Sequence, residues 1–301
     1  MQSPRPSRPS AESCARLRRL ALGLILSSSL LSAAAAAESR GPVKVFLLAG
    51  QSNLSGRAQA TDLPPAERAP INEILFDYVC SFGTDSKPGQ KEAPQHSNGW
   101  IALQPQPKHP GMSSDHFGPE IGFGRALLER WPGARIAIIK HGRGSTNLAE
   151  EWAPDATKGP QLYRQFLAQS RNALERLRVQ GIPYEIAAFV WCQGEGDSTR
   201  QEWAVAYGSN LKGLIARVRS DFGLPTLPVL IALSLDGKHN PRMKFPSEIR
   251  AAQREVVKND PHSQLVSGDD LTLGDGIVHF DAASQLTLGR RLAAAYLAMA
   301  P

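Results

Sequence analysis

Along the chain, short apolar runs alternate with longer segments whose apolar residues recur every three or four positions. The runs at 43–49, 73–80, 135–141, 184–192, 228–235 and 264–267 read as strands. Most are near-continuous, the pattern of strands covered on both faces of a parallel sheet. Helical patterns lie between them. The segment 119–131 opens on proline with Glu120 in its first turn. The segment 161–179 sets Tyr163, Phe166, Leu167, Ser170, Leu174 and Leu177 on one stripe. Arg176 and Arg178 stand in its last turn, where cations complement the helix dipole. Segments 200–221, 246–258 and 282–299 complete the set, with Asp281 placed to cap the last. This alternation predicts one α/β domain, a three-layer α/β/α sandwich around a doubly wound, mostly parallel sheet. Residues 81–118, rich in Pro, Gly, His and Ser, break the pattern. A loop of that length either walls a substrate site or is a surface insertion.

The first 37 residues stand apart. Arg5, Arg8, Arg16, Arg18 and Arg19 precede an apolar, Ser/Ala-rich stretch over 20–36, and the alanines at 33–37 offer small-residue cleavage sites. This is the composition of a secretory signal peptide, residues 1–37. The stretch is short and its second half weakly apolar, which disfavours an uncleaved membrane anchor. The expected mature chain is a single domain, 38–301, exported to the periplasm or extracellular space without stable membrane insertion. Removing the leader takes the formal net charge from +6 to +2. The basic balance therefore belongs to the leader and gives no case for nucleic-acid binding. Cys80 and Cys192 remain; both end apolar runs and read as buried thiols, although an exported protein could also bridge them.

In an open α/β sheet, ligands bind at the carboxyl ends of the strands. Four polar clusters follow strand candidates: GQSN at 50–53, HGRGST at 141–146, CQGEGD at 192–197 and GDGIVHF at 274–280. Together they supply a serine, amide donors, carboxylates and a histidine, the components of a serine hydrolase. Alone, each is weak: Ser52 suits a turn, and Glu195 and Asp197 suit a loop. HGRGST lacks the lysine of a Walker loop, no G-x-G-x-x-G follows the first strand, and no G-x-S-x-G elbow is present. Nucleotide binding and the common α/β-hydrolase layout are therefore disfavoured.

Taken in order, GQSNLSGR, RGSTNLAEEW, WCQGEGD and DGIVHFDAASQLTLGRR resemble the sialate O-acetylesterase-like branch of the SGNH (GDSL) hydrolases, which includes carbohydrate esterase family 6. GPEIGFGRALLERW at 118–131 fits too, and the resemblance runs from Lys44 to the C-terminus. It implies an SGNH-like, flavodoxin-like sandwich and a serine esterase that deacetylates carbohydrates without a cofactor or metal. Ser52 matches the nucleophile and His279 the base; Ser52, Gly144 and Gln193 match the oxyanion-hole donors. The histidine's carboxylate partner stays open. The family usually sets an aspartate three residues before the histidine, whereas Asp275 stands four before His279. Glu195, the glutamate of QGE, fills that role in some relatives. Ser145 replaces a usual glycine and is placed to narrow the acyl pocket.

Acetylxylan and acetylated sialic acids are both candidate substrates, with residues 81–118 expected to decide between them. The rivals are another ester or lipid hydrolase on the same fold and an inactive carbohydrate-binding relative. Arg143 could meet a sugar carboxylate or pair with Glu150 or Glu151. Trp100, Trp152 and Trp203 suit a sugar platform or the core.

Overall fold

The computed structural model describes residues 41–82, 94–109 and 112–299; the expected leader lies outside them. Its strands are β1 (Val43–Gly50), β2 (Ala58–Gln59), β3 (Ile71–Ser81), β4 (Gln95–His96), β5 (Ile101–Leu103), β6 (His116–Phe117), β7 (Ile136–Arg143), β8 (Tyr184–Cys192), β9 (Val229–Ala232) and β10 (Ser263–Val266). The longer helices are α1 (Glu120–Arg130), α2 (Leu162–Val179), α3 (Gln201–Phe222), α4 (Pro246–Lys258) and α5 (Ala282–Met299). Each predicted strand and helix is present, with ends displaced by a few residues at most. Asp281 caps α5 as expected, accepting the Ser284 amide at 2.8 Å.

β1 is apolar almost throughout because it lies inside the sheet and is covered twice. Val43, Val45, Leu47 and Ala49 face one core, with α2, α3 and α4; Phe46 and Leu48 face the other, with α1 and α5. That is the period-two alternation of a strand turned into two layers of helix. The sheet runs β10-β9-β8-β1-β7-β3-β4, parallel from β10 to β3. This is the three-layer, mostly parallel sandwich that the motifs imply. After β1 the chain builds β3 and β7 on one side, then β8, β9 and β10 on the other. The carboxyl end of β1 is thus a switch point in the topology, where such sheets bind ligands.

Within 81–118 the described residues are more ordered than the composition suggests. β4 and β5 extend the sheet antiparallel to β3, and β6 pairs with β2. Cys80 and Cys192 are buried, free thiols. Among the described residues no helix is long and apolar enough to cross a membrane.

Candidate active site

β1 closes on Gly50, where any Cβ would overlap the Cys192 carbonyl oxygen; glycine lets the ends of β1 and β8 come together. A single helical turn, Ser52–Ser55, follows at once. It is braced from below: the Ser55 carbonyl accepts Lys140 Nζ at 2.9 Å and Gln106 Nε2 at 3.2 Å. Lys140 in turn pairs with Glu120 at 2.8 Å, both side chains fully buried. Above the turn, Ser52 lines a cleft of about 680 Å³ shared with Ser145, Glu195, Trp203, Arg242 and His279.

His279 comes from the far end of the sequence. Its Nδ1 lies 2.6 Å from Asp275 Oδ2, while Asp275 Oδ1 accepts the amides of Ile277, Val278 and His279 at 2.8, 2.9 and 3.0 Å. The longer spacing is absorbed by this turn, which wraps the backbone around the carboxylate. Burial alone would raise the Asp275 pKa, but those amides and the neighbouring ring draw it down to about 2. The second candidate, Glu195, is held elsewhere: its Oε1 accepts the Leu235 amide at 3.4 Å, and burial pushes its pKa up.

One functional residue escaped the sequence reading. Asn53 Nδ2 donates to the Val278 carbonyl at 2.9 Å and its Oδ1 accepts the Phe280 amide at 3.2 Å. The residue beside the serine thus grips the backbone on both sides of the histidine. Its position next to Ser52 was the one available signal.

The expected oxyanion donors are arranged differently from the motif reading. The Gly144 amide donates to the Ser81 carbonyl at 2.9 Å. Gln193 directs its side-chain amide to Asp197 Oδ2 at 2.6 Å and to the Thr146 carbonyl at 3.1 Å. Neither Gly144 nor Gln193 lines the cleft. Among the described residues the amides of Ser52 and Ser145, which do line it, meet no protein acceptor. Ser145 has φ +56°, the left-handed region that explains why glycine is usual there. Asp197, whose pKa burial raises to about 6, also accepts the Leu148 and Ala149 amides at 2.7 and 3.0 Å, tying the 144–149 segment to the end of β8.

Trp152 is wholly buried and Trp100 packs against the core, leaving Trp203 as the tryptophan of the cleft. Of the described residues in 81–118, only Met112 and Ser113 reach a cavity bordering His279. No group of three metal-ligating side chains occurs among the described residues.

A serine, a carboxylate-bound imidazole and free amides at the carboxyl edge of a parallel α/β/α sandwich form the framework of an ester hydrolase. The sequence model of the family described as carbohydrate esterase, sialic acid-specific acetylesterase matches residues 42–298. The chain belongs to that family and is a carboxylic ester hydrolase. It is 27% identical over 273 residues to a probable carbohydrate esterase of Arabidopsis thaliana, covering 85% of this chain and 91% of that protein. The solved structure of that plant protein superposes with a TM-score of 0.65 at 24% identity, over 86% of this chain and 99% of that one. A carbohydrate acetylesterase from Xanthomonas citri shares the fold at a TM-score of 0.57 and 20% identity, over 83% of this chain and 55% of that one.

Proposed function

We propose that the protein removes O-acetyl groups from carbohydrates through an acetyl-serine intermediate. Ser52 attacks the acetyl carbonyl as His279 takes its proton, and Asp275 orients the imidazole and stabilises its charged form. Negative charge on the carbonyl oxygen is met by the amides of Ser52 and Ser145. His279 then returns the proton to the departing sugar oxygen. Water, activated by the same imidazole, releases acetate and restores Ser52. The observation that carries this reading is the bond from Asp275 to His279 in the cleft that Ser52 lines. The leader pattern supports export of the domain 38–301.

Hydrolysis of p-nitrophenyl acetate by the protein and by Ser52→Ala tests the reading. The substitution is expected to reduce turnover to background; equal rates would mark a binding protein. Activity that rose from acetyl to octanoyl esters would point instead to a lipid hydrolase.

A further inference from the structure

Resting on that esterase reading, we infer that the side chain of Gln51 is the third oxyanion donor, in the role that the motifs assign to Gln193. A side-chain amide carries two N–H groups and one acceptor oxygen. Gln193 spends both N–H groups on the protein, on Asp197 Oδ2 at 2.6 Å and on the Thr146 carbonyl at 3.1 Å. Two acceptors face that nitrogen, so turning the amide over would set oxygen against oxygen. What remains is Oε1, buried and without a partner among the described residues. It can accept but not donate, so Gln193 has nothing to offer a developing anion.

Gln51 has the opposite balance. Its backbone amide donates to the Cys192 carbonyl at 3.0 Å, and its carbonyl accepts the amides of Leu54 and Ser55 at 2.9 and 2.8 Å. Its side chain is held as well: Oε1 accepts the Gly196 amide at 3.2 Å. Because that amide can only donate, the oxygen and not the nitrogen faces Gly196. Gln51 Nε2 meets no acceptor among the described residues, and the residue lines the cleft with Ser52 and Ser145. Two other polar side chains of the cleft are spent, Asn147 Nδ2 on Glu151 at 2.8 Å and Thr199 Oγ1 on the Gly196 carbonyl at 2.7 Å. Gly196 is itself packed on the Ser145 segment, since a Cβ there would lie 2.1 Å from the Thr146 carbonyl oxygen. Gln51 hangs from Gly196 and precedes Ser52 in the chain. Its amide therefore sits where the turn of the nucleophile meets the segment that carries Ser145. A donor fixed in advance stabilises charge as it forms, with no reorganisation at the moment of reaction.

Hydrolysis of p-nitrophenyl acetate by Gln51→Glu, Gln51→Met and Gln193→Ala, with their melting temperatures, tests the inference. Gln51→Glu keeps an oxygen for the Gly196 amide and loses only the N–H. Its kcat and kcat/KM are expected to fall together by ~10²–10³, the mark of a contact made in the transition state. Gln51→Met adds no charge and should show the same loss; it decides the question if the glutamate variant does not fold. Gln193→Ala should lower the melting temperature while kcat stays within about tenfold. A folded Gln51→Met within about tenfold of the unaltered enzyme, or the larger loss appearing in Gln193→Ala instead, overturns the inference and leaves the esterase reading standing. Turnover by the unaltered protein no faster than by Ser52→Ala overturns both.

Discussion

Asp275 and Glu195 stand in the same cleft, yet their surroundings separate them. Three amides and an imidazole hold Asp275 ionised, whereas burial pushes Glu195 toward its neutral form. Asp275→Asn is therefore expected to lower kcat by as much as ~10⁴, the cost of losing an orienting carboxylate, and Glu195→Gln by far less. Steady-state turnover of p-nitrophenyl acetate by the two variants checks the order. Gln193 makes a second contrast. As an oxyanion donor its loss would lower kcat by ~10²–10³; as the brace between Asp197 and Thr146 it would chiefly lower the melting temperature. Gln193→Ala, measured for both quantities, is expected to show the second pattern. That Ser52 and His279 share one cleft follows the motifs, which record residue types. The aim of an amide was not legible, since it depends on torsions such as the positive φ of Ser145. Nor was the grip of Asn53 on the His279 segment, which exists only once residues 227 apart in sequence meet.

The long strands could be read because continuous burial leaves continuous apolar runs. β4, β5 and β6 escaped because two or three residues carry no period, and the edge pairing that forms them is tertiary. β7 held a subtler signal. Lys140 interrupts its apolar run, and a fully buried lysine implies a partner. Glu120, in the first turn of α1, is that partner, so a helix on one face is locked to the turn that carries Ser52. Lys140→Met strands the carboxyl without its cation and is expected to cost ~3–5 kcal/mol of stability. Adding Glu120→Gln should recover part of that loss, because the remaining polar group is no longer charged. Chemical denaturation midpoints of the single and double variants test the coupling; additive losses would show that the pair does not act as a unit.

The fold as a whole has a pH dependence set by buried groups with opposed effects. Burial, aided for His116 by the charge of Lys140, lowers the pKa of His116 to about 3; burial lowers that of His141 to about 4. Both are neutral when folded, but take up protons in the unfolded chain below ~6.5. The unfolded state then binds more protons, so their contribution to stability is lost as pH falls from ~6.5 toward their folded values. Asp197, raised to about 6, acts in the opposite direction, since it takes its proton in the folded state first. His141→Gln removes one of the two histidine contributions. The fall in melting temperature between pH 6.5 and 4.5 should become shallower by about one proton, ~1.4 kcal/mol per pH unit at most. An unchanged slope would mean that His141 is not held neutral.

Asn53 also receives the side chain of Gln285, from the first turns of α5, on its own carbonyl at 3.0 Å. The turn of the serine, made early in synthesis, is therefore tied to the last helix as well as to the histidine segment. A chain clipped ahead of α5 keeps the Asn53 contacts on either side of His279 but loses the side chain that fixes the Asn53 carbonyl, so the turn that carries Ser52 is anchored from one end of the sequence by the other.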